Sequence, residues 1–169
     1  MNKRYAFLIV SCFCLTLFFA AIPFKNTKAS TTACEIQYSS DGKYDSSLAL
    51  RIAAIDDATA GECARGVANI LEAEGYQVTR GDAYTWAQNL LKDGWVLVPG
   101  ATAATAPEGA VIVYDRDNPP GGSGGAKYGH VEIVTYDNGQ RVYVSDAARK
   151  TPGGTVPDNF MGVYVYKGK

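Results

Sequence analysis

Gly61-Glu62-Cys63-Ala64-Arg65-Gly66-Val67-Ala68-Asn69-Ile70-Leu71-Glu72-Ala73-Glu74-Gly75 is a helix by its periodicity and its punctuation. Cys63, Val67, Ile70 and Leu71 recur at i, i+4, i+7 and i+8, which makes one apolar face. Gly75 stops the helix after Glu74. Cys63 therefore stands in the first turn on the inward face, where the positive end of the helix dipole favours a thiolate. Gly61 lets the chain enter tightly and offers backbone N–H groups near the sulfur, the raw material of an oxyanion hole. Gly66 costs about 1 kcal/mol relative to alanine in a helix, so something is expected to pack closely against it.

On the N-terminal side, Ser46 or Ser47 can cap a short helix through about Asp56, with Leu48, Ile52 and Ile55 at helical spacing. On the C-terminal side, a third helix begins near Asp82, carries Trp86 and Leu90 as core residues and stops at Gly94. A small-residue loop then runs from Gly100 to Glu108. Four strands follow: Ala110 to Tyr114, Val131 to Tyr136, Val142 to Ser145 and Gly162 to Tyr166. Helices first and an antiparallel meander afterwards make an α+β pattern. Asn118-Pro119-Pro120-Gly121-Gly122-Ser123-Gly124-Gly125 reads as a flexible loop, placed to act as a rim or lid over whatever His130 does.

The chain has 169 residues and a single histidine, His130, which opens the run Gly129-His130-Val131-Glu132-Ile133-Val134. No other histidine can serve Cys63 as a base, so the two residues form the sharp hypothesis of a Cys-His hydrolase. Its orienting partner depends on the hairpin turn at Tyr136-Asp137-Asn138-Gly139-Gln140. A two-residue Asn138-Gly139 turn pairs Asp137 with Gln140 and sets Asp146 on the other face from His130. A three-residue turn with Gly139 in a G1 bulge pairs Tyr136 with Gln140 and places Asp146 opposite His130. The second is favoured here, which nominates Asp146 as the third catalytic residue. Glu132, two residues beyond His130 on the same strand face, is the alternative orienting group or a substrate contact.

The N-terminus has Met1-Asn2-Lys3-Arg4, an apolar stretch from Tyr5 to Ile22, and small and polar residues to Ala29. This is the layout of a secretory signal peptide cut after Ala29, so a protein secreted or exported to the periplasm is expected. An uncleaved anchor is the competing reading. The chain without residues 1–29 keeps 12 basic against 17 acidic residues, and that acidity argues against a nucleic-acid partner. The domains expected are a signal peptide (1–29), an N-terminal arm and short helix (30–56) and a hydrolase domain (57–169). Cys12 and Cys14 fall in the apolar run, leaving Cys34 and Cys63 in a compartment where a disulfide between them would remove the thiol. One histidine and no dense ligand spacing give no expectation of a metal or other cofactor.

Taken in order, Gly-x-Cys-Ala-Arg-x-Val-(x)7-Gly at 61–75, Ala-x-x-Trp-Ala at 83–87, Pro-x-Gly-x-Val at 107–111, Gly-His-Val-x-Ile-Val at 129–134 and Ser145-Asp146 resemble the NlpC/P60 and CHAP superfamily of papain-like peptidoglycan amidases and endopeptidases. The resemblance spans about residues 57 to 166 and implies a papain-like fold with N-terminal helices packed on an antiparallel sheet. It also implies Cys63 as nucleophile, His130 as base, Asp146 as third residue, and the peptide stems of peptidoglycan as substrate. Ala110 stands where these families usually show aspartate, and Cys34 is an extra thiol. The expectation is a monomeric secreted cysteine hydrolase, with no inhibitor or immunity protein named by the sequence. Two alternatives stand beside it. One is a secreted effector toxin using the same chemistry. The other is a disulfide-bonded binding module without turnover, presenting Tyr114, Tyr128, Tyr136 and Tyr143.

Overall fold

The computed structural model describes residues 43–56, 61–153 and 159–168, all within one compact unit that runs from Thr31 to Lys169. The expected signal segment and cleavage point, with Cys12, Cys14 and Cys34, lie outside the described residues. Helix α1 (Ser46–Asp56) is capped by Asp45, whose Oδ1 accepts the Ser47 N–H at 2.8 Å, in place of the serine cap expected from sequence. Ala49 and Ala53 are its fully buried positions, while Ile55 is 78% exposed. The small residues let α1 lie close to α2 (Cys63–Ala73), whose Val67, Ala68, Ile70 and Leu71 are buried as the periodicity requires. The helix expected from Asp82 begins as a 3-10 turn (Ala83–Thr85) and continues as α3 (Trp86–Lys92), with Trp86 and Leu90 buried.

The sheet has six strands: β1 (Trp95–Leu97), β2 (Val111–Tyr114), β3 (His130–Asp137), β4 (Gln140–Val144), β5 (Ala148–Arg149) and β6 (Phe160–Tyr166). A short helix, α4 (Gly124–Tyr128), occupies part of the glycine-rich segment expected to be loop. All neighbouring strands are antiparallel, in the order β1-β6-β2-β3-β4-β5. The architecture is α+β and papain-like, as expected, but it is not a simple meander. The last strand returns to the interior because Val163 and Val165 are buried on one face and Tyr164 on the other, so neither face of β6 can be left to water.

Alternation along the strands divides the core in two. Val111, Val113, Val131, Ile133, Val142, Val144 and Tyr164 meet the helices. Ile112, Tyr114, Val134, Tyr143, Val163 and Val165 face the loop carrying Val98, Ala101 and Ala106. Arg141 fastens that loop by donating from Nη1 to the Ala106 carbonyl at 2.6 Å, and the Tyr143 hydroxyl donates to the Ala103 carbonyl at 3.2 Å.

The hairpin register differs from the expectation. Asp137 pairs with Gln140 and Tyr136 with Arg141 across a two-residue turn, in which Asn138 (φ 48°) and Gly139 (φ 78°) are both left-handed. That is a type I′ turn, whose twist matches the flanking strands, so no bulge is needed. The ladder ends at Ile133–Val144, and the chain turns through Ser145 and Ala147 into β5. Helix α2 packs at that break. A methyl group on Gly66 would come under 3.0 Å from the Ser145 carbonyl oxygen and the Asp146 nitrogen, both rigid backbone atoms. Gly66→Ala is therefore expected to destabilise the protein by about 2 kcal/mol despite its better helix propensity. Urea unfolding of wild type and variant measures the difference.

Candidate active site

His130 begins β3 directly after Gly129, whose φ of 77° turns the chain into the strand. Its neighbour across the ladder is Tyr114, and their ring centroids are 5.9 Å apart. Glu132 points to the same face of the strand, two residues on. Its carboxylate is buried and fully partnered: Oε2 lies 3.3 Å from His130 Nε2 and accepts the Gly153 N–H at 2.8 Å, while Oε1 accepts the Tyr114 hydroxyl at 3.2 Å. A buried carboxylate without such donors would be costly to keep charged.

Cys63, in the first turn of α2, has no disulfide partner among the described residues and lines the same cleft as His130, close enough to act on the imidazole. Burial of the imidazole disfavours its charged form, but the hydrogen bonds to Cys63 and Glu132 and the charges of both groups outweigh burial. His130 is raised from 6.5 to about 9. The site so described holds an imidazolium at neutral pH between a sulfur and a buried carboxylate.

Asp146 has a different place. Its Oδ2 accepts the N–H groups of Gly61 at 2.6 Å and Glu62 at 3.1 Å, and its Oδ1 accepts the Ser145 hydroxyl at 2.8 Å. Burial pushes its carboxyl upward, yet these hydrogen bonds and the charge of Arg149 hold it below the usual carboxylate range. The expected pairing of Asp146 with His130 does not form, because it required the bulged register that the I′ turn replaces. Asp146 instead ties the end of β4 to the two residues ahead of Cys63. The same bonds occupy the Gly61 N–H, which the sequence had offered for an oxyanion hole.

A cleft of about 400 Å³ opens over this arrangement, lined by Cys63, His130, Asp146, Arg149, Gly153 and the α4 segment among others. A second cavity of about 300 Å³, lined by Arg65 and Asp82 among others, also borders Cys63. Gly61, Cys63 and Tyr128 border both. Tyr128 is 41% exposed, so the glycine-rich segment does contribute a rim to the cleft.

The model of the CHAP domain matches residues 54–148, more than half of the chain and the part that holds Cys63, His130, Glu132 and Asp146. The chain belongs to the CHAP domain family. Among solved structures, this CHAP domain is similar to a chain in the crystal structure of the type VI native effector-immunity complex Tae3-Tai3 from Ralstonia pickettii. The likeness has a TM-score of 0.52 and 22% identity, and covers 73% of this chain and all of that one. It is a likeness of fold. No curated protein matches.

The two carboxylates of this CHAP domain are separable by experiment. Glu132→Gln removes the charge that supports the imidazolium, so the alkaline limb of the pH profile of Cys63 alkylation is expected to move down from about 9 by roughly a unit. Asp146→Ala should lower the melting temperature and leave that limb in place. The sign for stability follows from the raised value: the His130 contribution is complete below 6.5 and is lost as pH rises through about 9.

Proposed function

We propose that this protein is a cysteine amidase or peptidase that hydrolyses amide bonds of cell-wall peptidoglycan, with Cys63 as nucleophile, His130 as acid and base, and Glu132 as the residue that orients the imidazole. The observation that carries this reading is the thiol at the start of α2, lining one cleft with an imidazole that is itself held by a buried carboxylate. Membership of the CHAP family supplies the substrate class.

The mechanism uses groups already described. With Nε2 of His130 on Glu132, Nδ1 is the nitrogen left for the sulfur and the substrate. The Cys63 thiolate attacks the amide carbonyl, forming the C–S bond. The first-turn N–H groups of Cys63 and Ala64, which have no carbonyl to bond within the helix, receive the oxyanion in place of the occupied Gly61 N–H. The imidazolium gives its proton to the leaving nitrogen as the C–N bond breaks, and the amine departs. His130, now neutral, takes a proton from water, and the resulting hydroxide attacks the thioester and releases Cys63. Asp146 has a supporting role, fixing the approach to the helix.

The binding-module alternative rests on a Cys34–Cys63 disulfide and on four tyrosines. Among the described residues Cys63 has no disulfide partner, and Tyr114 and Tyr143 are core residues, unavailable to a binding surface, which favours turnover. The signal-like segment at residues 1–29 supports action outside the cytoplasm, either on the producer's own wall or as an effector on another cell's. Cys63→Ala and His130→Ala are each expected to slow release of soluble fragments from purified peptidoglycan about a thousandfold or more. Hydrolysis by Cys63→Ala at the wild-type rate would refute the assignment.

A further inference from the structure

The two cavities that border Cys63 are walled by different parts of the chain. The first is built from the end of β2, the start of β3, the α4 segment and the chain near Asp146 and Gly153, the second from the first turn of α2 and residues 81–83. Gly61, Cys63 and Tyr128 are common to both, so the boundary between the cavities runs past the sulfur and Tyr128. A chain held with its scissile carbonyl at Cys63 therefore has both cavities open to it and lies beside Tyr128.

Little else there is free to hold such a chain. Gly61, Gly124, Gly125, Gly129 and Gly153 give the first cavity walls of bare backbone. Several charged groups are engaged within the protein: Arg65 pairs with Glu62 at 2.6 Å, Asp117 accepts from the Asn159 side-chain amide, and Asp146 accepts from Gly61, Glu62 and Ser145. Of the large apolar side chains in the two linings, Tyr114 is buried with its hydroxyl on Glu132, whereas Tyr128 is 41% exposed. Its backbone is nonetheless fixed. Gly129 follows with a φ of 77° and donates to the Gly125 carbonyl at 2.8 Å, and a Cβ on Gly129 would lie 2.6 Å from the Tyr114 carbonyl oxygen and 2.9 Å from the Tyr84 nitrogen. The Lys127 ammonium stands 4.8 Å from the Tyr128 ring centroid. A ring with two side-chain torsions on a pinned backbone loses little entropy when a ligand covers it.

We propose that the two cavities form one substrate groove across Cys63, and that Tyr128 is a substrate-binding residue at its centre, packing its ring on the chain next to the scissile amide. The substrate class is then an amide inside a chain, with units on both sides of the cut, and not one that releases a terminal residue. The proposal deepens the hydrolase reading above and rests on it. Covering an exposed tyrosine face with substrate corresponds to about tenfold in affinity.

Soluble peptidoglycan fragments cut by wild type, with the cleaved bond mapped by mass spectrometry, are compared with the same fragments trimmed to a single unit on one side or the other of that bond. Wild type is expected to favour the untrimmed fragment over both trimmed ones by about tenfold or more in kcat/KM, through KM more than kcat. Y128A should raise KM for the untrimmed fragment about tenfold, Y128F should restore most of the loss, and the pH midpoint of Cys63 alkylation should keep its wild-type value in both. Equal rates of wild type on the untrimmed fragment and either trimmed one would overturn the single groove. An unchanged KM in Y128A, or a shifted alkylation midpoint, would overturn the role of Tyr128. Failure of wild type to cleave any fragment, with Cys63 still reactive toward iodoacetamide, would instead overturn the hydrolase reading and this assignment with it.

Discussion

The buried carboxylate of Glu132 is the constraint around which the site is built. A charge at 1% exposure has to be met by donors. Three are supplied: one from the neighbouring strand, one from the segment after β5 and one from the imidazole. Each donor fixes something else. The Tyr114 hydroxyl depends on the β2–β3 register that pairs Tyr114 with His130. The Gly153 N–H brings the chain across the imidazole at a position where a side chain would collide with it. His130 is left with one defined ring orientation, and so with one nitrogen for chemistry.

A second, independent clamp serves the nucleophile. Asp146 holds Gly61 and Glu62, and Gly66 lets α2 approach the end of β4 until backbone meets backbone. The thiol thus comes from a helix packed at the break where the β3–β4 ladder stops, and the imidazole from the start of β3 beyond it, which β4 does not pair. The two carboxylates divide the labour that the sequence reading gave to one. Glu132 acts on the electrostatics of His130, whereas Asp146 acts on the placement of Cys63. This division explains why the Ser145-Asp146 pair belongs with the site although it does not touch the histidine.

Much of this was legible in the chain. The apolar stripe of α2 and its stop at Gly75 placed Cys63 correctly, and the cost of Gly66 pointed to the close approach that exists. The single histidine could be paired with one thiol because its strand opens at His130 itself. The hairpin register departs from the expectation for a physical reason. Asn-Gly is the strongest local signal for a type I′ turn, and with both residues left-handed the bulge that would bring Asp146 to His130 does not form. Glu132, the alternative that the i, i+2 rule offered, is the carboxylate that lies against His130. The interior position of β6 was not legible, since strand order follows from burial on two faces at once and not from any local pattern.

The central claim is that His130 is a charged imidazolium held between Cys63 and Glu132. Because the chain has one histidine, its imidazole gives unambiguous signals in an untagged, isotope-labelled sample of the protein, and an NMR pH titration reads its charge state directly. The account predicts a protonated ring through neutral pH that titrates at about 9, and a lower midpoint in Cys63→Ala. A midpoint near 6.5, unmoved by removal of the thiol, would contradict it.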